Sequence, residues 1–268
     1  MHRNSYDTDI TTWSPVGRLH QVEYAMEAVK QGSATVGVKS KDTAVLVSLK
    51  RAPHSELSSY QKKIFKVDSH MAVGVAGLTA DGRLLCKYMR NECMNHRFIF
   101  EAPMQVSRLV LKVADKSQVC TQKAGKRPFG VGLLVAGADK TGVHLFQTCP
   151  SGNYYDYKAV AIGARSQSAK TYLEDNFESF ENASEEELVV HALKALSKTL
   201  GENVDLNTNN CTVCVVGAHS NVEIYEDEMV DRYLNLLPAE EPASASSSEP
   251  AAEDMVVDRY LNLLPAEE

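Results

Sequence analysis

The sequence predicts an α+β fold of four layers: two antiparallel sheets stacked face to face, with helix pairs on the outer faces. Three observations carry this. The elements run as hairpins, two helices, strands, two helices and strands again, which is not the βαβ alternation of a parallel sheet. Short turns join successive strands, as antiparallel hairpins require. The strands are near-continuous apolar runs, which fits sheets covered on both sides.

The first helix is expected over residues 18–31. Leu19, Val22, Ala25, Met26 and Val29 recur at helical spacing, Pro15 and Gly17 precede it as turn residues, and Gly32 stops it. The period then changes. Residues 34–39 and 43–49 read as a hairpin turned by Ser40, Lys41 and Asp42. Residues 64–67 and 71–76 make a second pair around Asp68, Ser69 and His70. Two long helices follow, at 79–95 and 105–122. Strands return at 130–136, 143–146, 154–157 and 159–162. Two further helices run over 166–180 and 185–200. Ser166 is a candidate cap for the former, and Ser184 with Glu187 forms a capping box for the latter. Strands at 211–216 and 222–225 close the body.

The 268 residues suit one large domain with a tail. Residues 226–268 hold 12 of the 35 acidic residues but only two of the 28 basic ones, so the rest of the chain is left at +3. The body is nearly neutral and lacks the clustered Lys/Arg of a nucleic-acid footprint. No run of 18 apolar residues exists to span a membrane. Met1 to Asp7 is polar, without an apolar signal core. The six cysteines read as reduced thiols, so the expected location is cytoplasmic and nuclear.

The tail, 226–268, is expected to be disordered. Residues 242–250 are a low-complexity linker. On either side stands one eleven-residue string, Asp231 to Glu241, repeated from Asp258 to Glu268. Isolated short helices are marginal in water, which favours disorder; the other reading is a bivalent short linear motif.

Several chemical motifs reduce to structure. Cys211 and Cys214 have redox spacing but fall within a strand, where residues three apart face opposite ways. Cys93 and His96 lack a second pair with zinc spacing. The stretch from Gly163 to Thr171 has Ser168 and Ala169 before Lys170 where a phosphate loop needs glycine. Gly130 and Gly132 precede no helix start, so they read as packing glycines. No cofactor or metal is expected.

Two segments are more specific. One holds Tyr6, Asp7, Thr11, Trp13, Ser14, Pro15, Gly17, Arg18, Leu19, Gln21, Val22, Glu23, Tyr24, Ala25, Ala28 and Val29. The other is Arg127-Pro128-Phe129-Gly130-Val131-Gly132-Leu133-Leu134. Together with Ala76 to Asp81 and Ile162 to Ala169, they resemble signatures of α-type subunits of the 20S proteasome, from Tyr6 to Tyr225. The resemblance implies the αββα sandwich of N-terminal-nucleophile hydrolases, with a gate segment at 1–17, a sandwich domain at 18–225 and the tail beyond.

The resemblance also implies a non-catalytic subunit. Catalytic siblings attack with a freed N-terminal threonine whose α-amine is the base. Here Ser33 takes that position, but its nitrogen is an internal amide. Leu49 stands where the siblings carry an aspartate. The chain is instead expected in a seven-membered α-ring on a ring of β-subunits, serving ubiquitin-dependent and ubiquitin-independent protein degradation. Its partners would be neighbouring α-subunits, β-subunits and a regulatory particle or other activator, with no nucleic acid or membrane. The implied gate cluster is Tyr6, Asp7, Pro15 and Tyr24. Lys63 and Gly77 would line a pocket for an activator's C-terminal carboxylate. His2 and His20 depart from the aromatics common at their positions. The competing readings are a hydrolase of the same fold, and a free-standing interaction protein working through its tail.

Overall fold

The computed structural model describes residues 6–50, 61–201 and 205–237. The linker, the second copy of the repeat and His2 lie outside the described residues.

Helix α1 spans His20–Gln31. Strands β1 (Thr35–Lys39) and β2 (Thr43–Leu49) form the first hairpin, and β3 (Ile64–Asp68) and β4 (Met71–Gly77) the second. Helices α2 (Thr79–Phe100) and α3 (Val106–Gln122) follow. Then come β5 (Val131–Asp139), β6 (Gly142–Thr148), β7 (Tyr154–Asp156) and β8 (Ala159–Ile162). Helices α4 (Ser166–Asn176) and α5 (Glu185–Ser197) precede β9 (Cys211–Gly217), β10 (Glu223–Tyr225) and the short α6 (Asp231–Leu234).

The strands form two five-stranded antiparallel sheets, ordered β10-β9-β2-β1-β8 and β3-β4-β5-β6-β7. Period-2 alternation divides their side chains among three apolar clusters. Val36, Val45, Val47 and Val213 face α4 and α5, where Leu188, Ala192 and Leu196 meet them. Val73, Val75, Leu133 and Val135 face α2 and α3. Leu46, Ala72, Leu134, Leu145 and Cys214 fill the space between the sheets. The expected four layers are therefore present. Cys211 and Cys214 point to opposite faces of β9, and burial pushes their thiols up to about 11 and about 12, out of the range of a reactive thiolate.

Several boundaries differ from expectation; α1 begins at His20 and not at 18, and α5 ends at Ser197 and not at 200. Helix α2 runs five residues past Asn95, because its last turns lie over the surface and need no apolar stripe; Phe98 is 89% exposed. Helix α4 stops at Asn176 and tightens into a 3-10 turn at Phe177–Ser179. Its N-cap is Arg165, in left-handed backbone at φ 53°, so Ser166 is the first helical residue and not the cap. The box at Ser184 is formed as expected: Ser184 accepts from the Glu187 amide, and Glu187 accepts from the Ser184 amide at 2.9 Å.

The expected start of the tail, residue 226, is also displaced, because the compact unit extends to Leu237. Val230 and Tyr233 are buried in the cluster under α5, with Leu234 and Leu237 against it. The residues that look like a marginal short helix in isolation find a prepared apolar seat on the body, and that packing overrides their weak propensity.

Candidate functional site

Three places answer to the sequence expectations: the start of β1, the entry segment before α1, and a pocket between α1 and α2.

At the start of β1 the chain is closed in by backbone. The Gly32 N–H donates to the Val29 carbonyl at 3.1 Å, and the Gly32 carbonyl accepts from the Ala164 N–H at 2.7 Å. Gly163, at φ +98°, lies so near that a Cβ there would fall 2.7 Å from the Ser33 carbonyl oxygen. The glycine of the failed phosphate-loop match is thus a close-approach residue. Ser33 is 6% exposed, and its hydroxyl has no hydrogen-bond partner among the described residues. A nucleophile needs a neighbouring base, and the Ser33 nitrogen is a planar amide without a basic lone pair. Leu49 packs half-buried in the cluster under α4 and α5 and supplies no carboxylate.

The entry segment is tied to α1. Ser14, Pro15, Val16 and Gly17 form a β-turn closed by the Gly17 N–H on the Ser14 carbonyl at 2.9 Å. Proline suits the second turn position, and Gly17 takes the positive φ of 76° that follows. The Ser14 hydroxyl accepts from the Arg18 N–H at 2.9 Å, which fixes the approach to the helix. Reversed in this way, the chain brings Asp7 over α1. The Tyr24 hydroxyl donates to Asp7 Oδ2 at 3.1 Å, and Gln21 Nε2 donates to the Asp7 carbonyl. Of the four expected gate residues, Asp7 and Tyr24 meet directly, Pro15 makes the reversal, and half-buried Tyr6 adjoins Asp7. The ring of His20, which departs from the expected aromatic, stacks on Tyr24 with ring centroids 6.4 Å apart. Arg18 makes two 2.7 Å bonds to Glu23 and holds that carboxyl below its usual range.

The pocket has a volume of about 530 Å³, and both Lys63 and Gly77 line it. Gln31 and Gly32 contribute from the end of α1, and Thr79 and Arg83 from the start of α2. Lys63 itself is 3% exposed. Two cationic side chains beside a helix N-terminus suit a carboxylate.

One contact beside this pocket is not evident from spacing alone. Asp81, in the first turn of α2, receives two bonds from the Arg127 guanidinium at 2.6 and 2.8 Å and one from the Gly130 N–H at 2.9 Å. Arg127 and its hydrogen bonds hold the carboxyl below its usual range against the opposing effect of burial. The clamp joins two of the signature segments. It fixes the strand entry at Gly130 against Gly77, whose own Cβ would stand 2.3 Å from the Gly130 carbonyl oxygen. Both partners stand in the signature motifs, but their pairing is not legible there.

Comparison with known proteins gives one answer along the chain. A family model described as "Proteasome subunit" matches residues 29–216, and a second, for the N-terminal signature of A-type proteasome subunits, matches residues 6–28. The chain is 59% identical over 249 residues to "Proteasome subunit alpha type-1" of Dictyostelium discoideum, covering 92% of this chain and 100% of that protein. It is 50% identical over 252 residues to the protein of the same name from Trypanosoma brucei rhodesiense, covering 93% and 95%. Against that of Caenorhabditis elegans the identity is 50% over 235 residues, covering 88% and 90%.

Proposed function

The chain belongs to the proteasome subunit family, as an alpha-type member, and from that premise we propose that it occupies one place in a seven-membered gating ring. It is a non-catalytic subunit of the outer ring of the 20S core particle, and it assembles with other proteasome subunits. The observation that carries the non-catalytic reading is the internal Gly32–Ser33 amide, sealed by Val29 and Ala164. It leaves no amine to act as base at the nucleophile position.

The proposal extends to degradation in cytoplasm and nucleus, both ubiquitin-dependent and ubiquitin-independent. All six cysteines are free thiols, which suits a reducing compartment. Native mass spectrometry on the endogenous chain, purified separately from cytosolic and nuclear extracts, tests the ring and the location together. The expected result is a very large particle from both extracts, with six other α-subunits and a β-set. A monomer or small homo-oligomer would overturn the ring, and a particle in one extract alone would overturn the location.

Two sites would act in gating. Asp7, Tyr24 and the Pro15 turn, with Tyr6, would hold the entry segment in a defined course over the pore. Support comes from the 3.1 Å bond between Tyr24 and Asp7. Lys63, with Gly77, would receive the C-terminal carboxylate of an activator; support comes from their shared pocket. Charged hydrogen bonds are worth about 1.5–3 kcal/mol, or roughly 10–100-fold. Lys63→Ala is therefore expected to lower activator-stimulated peptide hydrolysis about ten-fold in assembled particles. Tyr24→Phe is expected to lower it by a smaller factor, and neither should reduce assembly. Stimulation at wild-type strength in either variant would remove that residue from the proposal.

A further inference from the structure

The seat that holds residues 226–237 is built from both apolar and charged contacts. Val230 and Tyr233 are buried there, at 0% and 1% exposure. The Tyr233 ring meets Tyr225 edge-on at 5.4 Å, and its hydroxyl donates to Glu185 Oε1 at 3.0 Å. Arg232 lies over both tyrosine rings, 4.6 and 4.3 Å from their centroids. Further back, Glu226 pairs with Lys62 at 3.2 Å, and Asp227 with Lys50 at 3.5 Å. Asp227 has a φ of 55°, a conformation that aspartate tolerates better than most residues.

The second copy reproduces this set. Aligned on the repeat, Glu253 stands for Glu226, Asp254 for Asp227, Val257 for Val230, Arg259 for Arg232, Tyr260 for Tyr233, and Leu261 and Leu264 for Leu234 and Leu237. The match thus extends upstream of the eleven identical residues. Between residues 226 and 237 only two positions differ: Glu228 becomes Met255, and Met229 becomes Val256. Both are exposed in the seated copy, Met229 at 58%. Every group that touches the seat is kept, and the changes fall only at exposed positions.

We propose that the seat formed by α5, β9 and β10 is a peptide-binding groove with two interchangeable occupants, and that residues 253–264 take it when residues 226–237 leave. Chain connectivity ranks the two. The first copy follows β10 directly, whereas the second must close a loop of the 27 residues 226–252. A flexible tether of that kind supplies an effective concentration in roughly the millimolar range, enough to refill a vacated groove within the same chain. Exchange would release the first copy, with its Tyr233 and leucines, without uncovering the core beneath α5.

The test uses the full-length chain as purified from cells, in three variants: Tyr233→Ala with Leu237→Ala, Tyr260→Ala with Leu264→Ala, and all four together. Hydrogen exchange of the α5 amides, residues 185–197, is the readout. Either two-site variant is expected to stay within about three-fold of the unaltered chain, and the four-site variant to exchange at least about ten-fold faster. A first-copy variant that exchanges as fast as the four-site one would overturn the proposal, as would an unchanged four-site variant. Should the four-site chain not fold, a photoreactive phenylalanine at position 260 in the first-copy variant decides. A crosslink to α5 of the same chain supports exchange; a crosslink only to another polypeptide, or none, overturns it.

Discussion

A Gly32→Ala chain is expected to lose about 4 kcal/mol or more of stability and to be scarcely recovered in assembled particles. An added Cβ would lie 2.0 Å from the Gly77 nitrogen, 2.8 Å from the Gly77 Cα and 2.9 Å from the Ala76 carbonyl carbon. All three are backbone atoms in or ending β4, so no side chain can turn aside. Nor can β4 retreat, since Gly77 already lies against Gly130 and the Leu78 N–H donates to the Gly130 carbonyl at 2.8 Å. One methyl group would therefore have to separate the end of α1 from two strands of one sheet. Ordinary domains are stable by only about 5–15 kcal/mol. Gly125→Ala is the control. Gly125 has a positive φ of 75°, unlike Gly32 at −71°, and a Cβ at Gly125 meets nothing within 4 Å. It should cost about 1–2 kcal/mol, the backbone penalty alone. Denaturant titration of the two purified chains, alongside their recovery in particles, measures both. Since Gly32 has an ordinary φ, a Gly32→Ala loss no larger than the Gly125→Ala loss would show that the close approach to β4 yields and does not make Gly32 necessary.

This contact also shows where sequence reading succeeds and where it stops. The layers were legible because strand and helix periods differ, and because sheets covered on both faces leave continuous apolar runs such as β4 and β5. Asp7 and Tyr24 were found through the signature; periodicity would have left Tyr24 as an ordinary surface residue of α1. The pocket was reached in the same way, through Lys63 and Gly77. The contacts of Gly32, Gly77, Gly130 and Gly163 were not legible, since closeness between segments far apart in sequence leaves only a glycine behind. The seating of Tyr233 escaped for a related reason. A short acidic stretch with three leucines and a tyrosine looks marginal until a matching surface is known, and that surface is assembled from α5, β9 and β10.

The clamp of Asp81 on Arg127 and Gly130 should yield the other large effect. Asp81→Ala removes two charged hydrogen bonds and leaves the buried Gly130 N–H without its acceptor. The Asp81 side chain is 8% exposed but that of Arg127 is 65% exposed, so the freed guanidinium can turn to water. The cost is then that of the lost bonds, about 2–3 kcal/mol, below the figure for a fully buried pair. The pH dependence has a definite sign. Arg127 and the Gly130 amide lower the folded-state pKa of Asp81 below its unfolded value near 3.8. Its contribution is therefore fully present above the unfolded pKa and is lost as pH falls through the lowered folded value. Unfolding free energies of the wild-type and Asp81→Ala chains should differ by a constant amount well above the unfolded pKa and converge as the solution is acidified below it. A gap that stays constant over that range would mean that Asp81 acts through packing and not through its charge. If the gap closes as expected, activator stimulation of Asp81→Ala particles should fall even where assembly survives, because the same carboxylate holds Gly130 against Gly77 at the wall of the Lys63 pocket.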